Sequence, residues 1–400
     1  MITFQEAQTI VKQQARSFGQ ERVPLEQAYG RILAETVTAD RDYPPFNRSS
    51  MDGFALRIAD LEAGLRHFTI VETIFAGMNA TRHIGSGQCY KIMTGAPVPS
   101  DADIVIRRED TREGEGIVEL ALPAAGKSSF RPFQNIARQG EDLRSGDLVI
   151  DRPQLCQPAL MGLLASLGRK ELLVQRLPRV ALLTTGNEVV DVGQPVSSAQ
   201  IRNSNRWLLQ SFLHKNGITP SLYEHLPDQK SELHRALTAA LDNDIVILSG
   251  GVSAGDADYV PAVLEELGVK KLFHKLAIKP GKPAWCGLTT HRGMVFALPG
   301  NPFSCLVGFT LLIQPFLDAC WGVSSPAPLG LPLQTARRQH SVLDEFFPVL
   351  IEGDPAQVKP MPLNGSGDIR MGLGAQALAL HPAAAGDLPE GSLVACYSLV

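Results

Sequence analysis

The chain has 400 residues, 44% hydrophobic and 20% charged, which is the balance of a folded globular protein and excludes a disordered one. Its formal net charge of −4 argues against a nucleic-acid-binding protein that works through bulk electrostatics. One hydrophobic core rarely serves so long a chain, so we expect about two to four domains. The 36 glycines and 28 prolines predict many turns, either in a loop-rich β portion or around a ligand.

The N-terminus predicts a structural helix and no signal peptide. Thr3 and Glu6 have the spacing of a capping box at the start of an amphipathic pattern. Lys12 and Arg16 interrupt the apolar run that a signal peptide requires. After an extended run that ends at Thr38, the segment 54–140 alternates short β-like runs with Gly and Pro clusters. This pattern predicts a small β-rich domain.

Strands and helices alternate from residue 179 onward. The predicted strands are 179–184, 244–248 and 294–297, and the predicted helices are 203–216, 230–241, 260–267 and 303–317. This rhythm predicts an open parallel α/β sheet in a domain of about 145 residues. Beyond Pro326 short extended runs return, which predicts a separate C-terminal β domain.

Two further features concern the cellular setting. The charge-free stretch 293–317 contains Pro299, Pro302 and Pro315, so we expect a strand, a tight loop and a buried helix instead of a membrane span. The six cysteines include no Cys-x-x-Cys pair. Their scatter predicts neither a zinc site nor a disulfide framework, and it suits a reducing cytoplasm.

Three predicted strands of the α/β domain run into unusual loops. The loops are Thr185-Gly186-Asn187-Glu188, SGGVSAGDAD (249–258) and Leu298-Pro299-Gly300-Asn301-Pro302. Ligands of open parallel sheets bind at the carboxyl ends of the strands, and glycines let backbone N–H groups approach a ligand closely. Each loop alone is equally compatible with an ordinary tight turn. Three together predict a phosphate-type anion site.

Charged residues accompany these loops. Glu188, Asp228 and Asp258 would repel a phosphate unless a divalent cation lay between them, which favours Mg²⁺. Lys275 and Lys279 belong to KLAIKPGKP (275–283), whose prolines stiffen the segment. Lysines held in this way suit an oligo-anionic ligand, and a solvated basic turn is the alternative interpretation.

Taken together, these segments resemble the MoeA family of molybdenum-insertion enzymes, which is related to the E domains of gephyrin and Cnx. The matching segments, in the family's order, are PPFNRSSMDGFA (44–55), IMTGAPVPSDADIVI (92–106), NIARQGEDLRSGD (135–147), TTGNEV (184–189), SGGVSAGDADY (249–259), KLAIKPGKP (275–283) and LPGNP (298–302). The chain departs from the family at 336–348, where the usual Gly-Arg and Phe-x-Arg pattern is missing and Arg337 and Arg338 are the candidate substitutes.

The resemblance implies a multidomain α/β plus β fold with a central open α/β domain like a molybdopterin-binding domain, an inserted β-rich domain and a small β-barrel-like C-terminal domain. The implied boundaries are 1–45 plus 141–177 for an elongated domain I, 46–140 for domain II, 178–326 for the α/β domain III and 327–400 for domain IV. The resemblance further implies a homodimer in which domain II of one subunit completes the cleft of the other, with a molybdopterin adenylyltransferase acting upstream.

The activity that the resemblance implies is insertion of molybdate into adenylated molybdopterin with Mg²⁺-dependent release of AMP, in the cytoplasm and with no nucleic acid or membrane. The implied catalytic residues are Asp52, Glu188, Asp258, Lys275 and Lys279. The implied substrate-binding residues are Thr94, Arg138, Asp142, Gly186, Asp228, Ser249, Gly250, Gly251, Ser253, Pro299, Pro302 and Ser366. Our hypothesis is that Glu188 and Asp258 hold Mg²⁺ near the pyrophosphate while the two lysines neutralise the oxyanion.

Two other functions stay open. The first is a molybdopterin adenylyltransferase, a related enzyme with a similar α/β domain; it is a single small domain, so the additional domains here count against it. The second is a non-catalytic scaffold like gephyrin in its receptor-anchoring role. The joint presence of all five implied catalytic residues counts against a site that has lost its chemistry.

Overall fold

The computed structural model describes residues 1–121, 130–151, 153–252 and 258–399. The chain forms two compact units. The first unit contains Met1–Ala34, Pro153–Gly162 and Lys170–Val400, and the second contains Glu35–Arg152 and Leu163–Arg169. The division into four domains stays a prediction.

The first helix, Phe4–Gln13, begins with the predicted capping box. Thr3 Oγ1 accepts a hydrogen bond from the backbone N–H of Glu6 at 3.2 Å, and Glu6 Oε2 accepts one from the backbone N–H of Thr3 at 2.8 Å. The helix buries Phe4, Ala7 and Val11 on one face, as its spacing predicts. A short 3₁₀ turn follows at Leu25–Gln27.

A small antiparallel sheet completes this part of the first unit. Its strands, in spatial order, are Gln20–Pro24, Glu171–Gln175, Ile32–Leu33 and Gln154–Leu155. The helix Pro158–Ser166 follows the last of these strands in sequence. Residues far apart in the chain therefore share one sheet.

The largest sheet of the first unit has six strands. In spatial order they are Leu222–Leu226, Val180–Thr185, Ile245–Ser249, Met294–Leu298, Trp285–Leu288 and Lys270–His274. The first four are parallel, which confirms the α/β prediction, and the last two are antiparallel. These two antiparallel strands were not identified from the sequence. No helix lies in the described segment between these two strands, and without such a crossover neighbouring strands run antiparallel.

Helices cover both faces of this sheet. They are Ser204–Lys215, Lys230–Ala240, Val260–Glu266 and Pro302–Trp321. Val180 and Leu182 pack into one core together with Phe303, while Ala181 and Leu183 pack into the other. Because alternate side chains are buried on opposite faces, the strands read in sequence as continuous apolar runs. Val189–Val190 and Ile201–Arg202 form a separate two-stranded parallel ladder.

The helix Pro302–Trp321 is the one described helix that is long and apolar enough to cross a membrane by length and composition. However, 83% of its most apolar window is buried inside the protein. It contains a π-helical turn at Phe309–Ile313 and packs against the central sheet. This agrees with the expectation of a strand, a tight loop and a buried helix.

The C-terminal part of the first unit is a curled sheet. Its strands, in order along the pairing, are Ile278–Lys279, Asp344–Glu352, Ala377–His381, Leu393–Ser398 and Leu329–Pro332, with Gln357–Pro360 paired to Asp344–Glu352. Leu333 also bridges Val358, so the path of backbone pairing closes on itself. The closure supports the barrel-like description of the C-terminal domain.

The second unit is β-rich, as predicted. Its main sheet contains, in order, Ile104–Arg107, Gly53–Leu56, Gln88–Ile92, His67–Ile74, Ile117–Leu120 and Thr111–Glu113. Two short ladders pair Arg48–Ser49 with Ile136–Ala137 and Val37–Thr38 with Leu148–Ile150. The helix Ile58–Glu62 and a 3₁₀ turn at Arg108–Asp110 complete the unit.

All six cysteines are free and buried, in agreement with the absence of a predicted disulfide framework. Burial raises the pKa of Cys305 to about 12 and that of Cys89 to about 12. These thiols are therefore protonated at neutral pH and behave as small apolar side chains.

Candidate functional site

The carboxyl ends of the parallel strands meet at one edge of the central sheet. Thr184 is paired with Ser249, Ser249 with Leu298, and Thr185 with Leu226. The residues that follow these positions therefore leave the sheet side by side, which is where open α/β sheets bind ligands. The structure thus brings together the three loops that the sequence singled out.

These loops line a cleft of about 1560 Å³ within the first unit. Its opposite wall comes from the C-terminal sheet and the segments around it. The predicted site residues that line the cleft are Glu188, Asp258, Lys279, Gly186, Asp228, Ser249, Gly250, Gly251, Pro299, Pro302 and Ser366. Ser253, also predicted, lies outside the described residues.

Gly250 shows why the second loop needs glycine. Its φ of +104° lies in the region that side chains rarely adopt. A methyl group at this position would also lie 2.6 Å from Thr185 Oγ1 and 2.8 Å from the Thr185 carbonyl oxygen. The loop therefore passes directly against the end of the neighbouring strand.

Asn205, which the sequence analysis missed, connects two of the loops. Its Nδ2 donates to Ser249 Oγ at 2.8 Å and to the carbonyl oxygen of Gly300 at 2.6 Å. Behind them, Cys305 Sγ lies 3.2 Å from Ser249 Oγ and donates to the Pro299 carbonyl oxygen at 3.1 Å. These contacts join residues far apart in sequence, so no local pattern could have indicated them.

The carboxylates of the cleft come from three separate segments. Glu188, Asp228 and Asp258 all line it. Asp228 Oδ2 accepts a hydrogen bond from the Asn187 N–H at 3.2 Å, and Asn187 Oδ1 accepts one from the Asp228 N–H at 3.1 Å, which ties two of these segments together. Among the described residues, no three His, Cys, Asp or Glu side chains cluster closely enough to hold a metal without other ligands.

Lys279 forms an ion pair with a glutamate of the neighbouring strand in the cleft wall. The strand Ile278–Lys279 pairs in parallel with Asp344–Glu352 and places Lys279 opposite Glu345. Lys279 Nζ lies 3.3 Å from Glu345 Oε1, and an Arg337 guanidinium nitrogen lies 3.0 Å from Glu345 Oε2. Arg337 also stacks on the Phe347 ring at 4.0 Å. One half-buried carboxylate thus pairs with two cations that line the cleft.

Of the two candidate arginines in the segment 336–348, the structure places Arg337 in the cleft wall, and Arg338 is not among the described lining residues. Lys275 is likewise not among them. Its φ is +72°, its N–H donates to the Ala284 carbonyl oxygen, and its own carbonyl accepts from Ile2. These contacts give its backbone a structural role, and the role of its side chain stays a prediction.

The C-terminal segment Gly365-Ser366-Gly367-Asp368, which contains the predicted Ser366, meets the third loop of the central sheet. Asn301 Nδ2 donates to Ser366 Oγ at 2.8 Å, and the Phe303 N–H donates to the Ser366 carbonyl oxygen at 3.2 Å. Asp368 accepts hydrogen bonds from the Arg370 side chain and from the Asn364 N–H, which hold its pKa well below the usual range. This segment is therefore a turn at the cleft that is held in place by hydrogen bonds.

The remaining predicted residues lie in the second unit. Asp52 Oδ1 accepts hydrogen bonds from the Thr94 N–H at 2.7 Å and from Thr94 Oγ1 at 2.8 Å, and these two bonds lower the pKa of Asp52. Arg138 stacks on the Phe133 ring at 4.2 Å. The Asp142 N–H donates to the Tyr43 carbonyl oxygen. The structure therefore pairs Asp52 with Thr94 and gives Arg138 and Asp142 local partners of their own.

Comparison with known proteins identifies the family to which the chain belongs. Residues 2–168 match the model of the MoeA N-terminal region (domain I and II), and residues 181–319 match that of a probable molybdopterin binding domain. A molybdopterin molybdenumtransferase from Synechocystis is 33% identical over 374 residues, which is 92% of each chain. One from Haemophilus influenzae is 38% identical over 321 residues, 77% of each.

The same relationship holds for a solved structure. The MoeA molybdopterin biosynthesis protein of Pyrococcus horikoshii OT3 superposes with a TM-score of 0.82 at 27% identity, covering 98% of both chains. The Synechocystis relative and the solved structure match this chain over nearly its whole length. The chain belongs to the MoeA family of molybdopterin molybdenumtransferases.

Proposed function

We propose that the protein inserts molybdate into adenylated molybdopterin and releases AMP. The observation that carries this proposal is a single cleft that combines glycine-rich strand ends with carboxylates and cations. Cleaving a phosphoanhydride is mainly a matter of positioning and of neutralising charge, for which such a set of groups suffices. The names of the curated relatives support the same reaction.

The cations divide the work of charge neutralisation. Lys279 and Arg337 project from the C-terminal side of the cleft, and Lys282 also lines it. Molybdate is a tetrahedral dianion, and we propose that it binds between these cations and the hydroxyl of Ser366. The glycine loops at the sheet edge would hold the phosphates through backbone N–H groups.

The carboxylates suit magnesium in number and in kind. Mg²⁺ usually takes one or two protein carboxylates and completes its shell with water and substrate phosphate oxygens. Glu188 and Asp258 supply hard oxygen ligands, and too few acidic residues cluster among the described residues to form an all-protein site. The donor set therefore fits Mg²⁺ bound together with substrate. When bound, the ion would withdraw negative charge from the phosphate that leaves.

Incubation of the purified protein with adenylated molybdopterin, molybdate and Mg²⁺ is expected to release AMP. Omitting molybdate or chelating Mg²⁺ should lower the rate at least about tenfold, because molybdate is a substrate of the proposed reaction and Mg²⁺ neutralises charge in its transition state. Chromatographic measurement of AMP tests this, and readdition of Mg²⁺ is the control. A rate of AMP release that does not depend on molybdate or on Mg²⁺ would contradict the proposal. Repeating the assay with tungstate shows which anion the cleft prefers.

The same preparation separates the two other candidate functions. A molybdopterin adenylyltransferase would release pyrophosphate from ATP and molybdopterin, which we do not expect here. A scaffold would release no AMP under any condition. The match of residues 2–168 to the MoeA N-terminal region, in addition to the α/β domain, supports the molybdate-inserting enzyme over both.

We further propose that the protein is a homodimer with a shared cleft, built of four-domain subunits, that it works in the cytoplasm and that it receives substrate from a molybdopterin adenylyltransferase. In this proposal the Asp52 and Thr94 pair of the second unit serves the cleft of the partner subunit, as the resemblance to the family implies. Light scattering should therefore give twice the 43.2 kDa chain mass. A stable monomer with full activity would contradict the shared cleft.

A further inference from the structure

Besides Arg337 Nε and Glu345 Oε2, which belong to the ion pair on the opposite wall, two buried polar atoms of the cleft have no hydrogen-bond partner among the described residues. They are Thr185 Oγ1 and Asn205 Oδ1. Both residues line the cleft, and Thr185 is only 6% exposed. A buried polar atom without a partner costs roughly 1–3 kcal/mol, so native proteins rarely leave two of them in one site without a purpose.

The contacts of Asn205 show which of its atoms is available. A backbone carbonyl oxygen can only accept, so the Asn205 atom 2.6 Å from the Gly300 oxygen must be the amide nitrogen. That nitrogen donates its second hydrogen to Ser249 Oγ at 2.8 Å. The carbonyl oxygen Oδ1 is then the free atom, and it can act only as an acceptor.

The adjacent threonine provides the contrast. Thr184 Oγ1 accepts from Asn203 Nδ2 at 2.9 Å and lies 3.0 Å from His225 Nδ1, so its hydroxyl is satisfied inside the protein. Thr185 is the next residue of the same strand, and its hydroxyl has no such partner. The difference lies in the tertiary contacts and not in residue type.

We propose that Thr185 Oγ1 and Asn205 Oδ1 form a subsite for a neutral amino or ring N–H group of the substrate. The acceptor Oδ1 of Asn205 repels an oxyanion, so the position next to this atom, unlike the backbone N–H groups of the glycine loops, is unsuited to phosphate or molybdate. It suits the amino-bearing edge of a heterocycle instead. The inference rests on the proposed function, whose substrate carries two such rings, adenine and the pterin.

The test compares Thr185→Val with Thr184→Val, two nearly isosteric changes at neighbouring positions. Thr185→Val removes a hydroxyl that makes no internal hydrogen bond, so Tm should stay the same or rise. The dissociation constant of Thr185→Val for the ligand whose ring occupies the subsite should nevertheless rise roughly tenfold, which is the effect of one lost hydrogen bond. Thr184→Val should instead lower Tm by about 2–4 °C, because it removes the hydroxyl that Asn203 and His225 both contact.

Calorimetric titration with AMP alone and with molybdopterin alone distinguishes the two sources of the ring. Weaker binding of AMP assigns the subsite to adenine, and weaker binding of molybdopterin assigns it to the pterin. Unchanged binding of both ligands by Thr185→Val, or a Tm that falls as in Thr184→Val, would overturn the inference. Asn205→Leu removes the acceptor Oδ1 and also the two hydrogen bonds that Asn205 donates to Ser249 and Gly300, so it should weaken binding further.

Failure of the proposed function gives a different result. If the unmodified protein binds neither AMP nor molybdopterin, the proposed function fails and the subsite with it. If the unmodified protein binds both and releases AMP in the presence of molybdate, while Thr185→Val behaves identically, only the subsite is refuted.

Discussion

Substituting Lys279 with alanine is expected to lower molybdate-dependent AMP release by about 100- to 1000-fold, the usual loss when one preorganised charge-stabilising donor is removed. The side chain lines the cleft, and its nitrogen lies 3.3 Å from Glu345. The substitution therefore removes a positive charge and also leaves the negative charge of Glu345 less compensated. Both changes disfavour an anion in the same place.

The steady-state rate of AMP release, measured over a range of molybdate concentrations, tests this expectation. Lys279→Arg keeps the charge and should retain more activity than alanine. Lys359→Ala is a matched control, because Lys359 is 53% exposed against 49% for Lys279 and also pairs with a glutamate, Glu352, at 3.6 Å. Lys359 is not among the described residues that line the cleft. A Lys279→Ala rate within threefold of the control would refute the proposed role.

Substituting Gly53 with alanine is expected to destabilise the second unit by about 3 kcal/mol or more, the range of severe overpacking. A methyl group at this position would lie 2.0 Å from the carbonyl oxygen of Ile106. That oxygen belongs to the strand paired with Gly53–Leu56, so relief requires the two strands to separate. No rotamer change can remove a clash with backbone.

Scanning calorimetry should show the unfolding transition of the second unit at a markedly lower temperature in Gly53→Ala. Gly114→Ala is the matched control in the same unit, because its new methyl group would meet nothing closer than 3.8 Å. The control should change Tm by little. Equal Tm values for the two variants would show that the strands tolerate the extra carbon. The glycine of the Met51-Asp52-Gly53 motif therefore has a steric reason of its own, separate from any contact with substrate.

The local elements could be predicted from the sequence because their signals are local. The capping box of Thr3 and Glu6, the helix Ser204–Lys215 and three of the four parallel strands follow from spacing and from apolar runs, whereas the strand Leu222–Leu226 was not predicted. The glycine-rich loops were also predictable, since a strand followed by such a loop marks the ligand-binding edge of an open sheet. The two antiparallel strands were missed because short apolar runs do not by themselves distinguish a strand from other structure.

The cleft itself was decided by tertiary structure. Glu345 meets Lys279 only because two strands far apart in sequence pair in one register, and Arg337 joins them from a segment without a recognisable pattern. Asn205 acquires its role in the same way, by reaching two loops that fold against it. The sequence by itself determined which elements form, where the loops lie and which family the chain resembles. Only the tertiary structure decided which polar atoms are satisfied inside the protein and which have no internal partner, because hydrogen bonding depends on distances of a few tenths of an ångström that residue spacing does not encode.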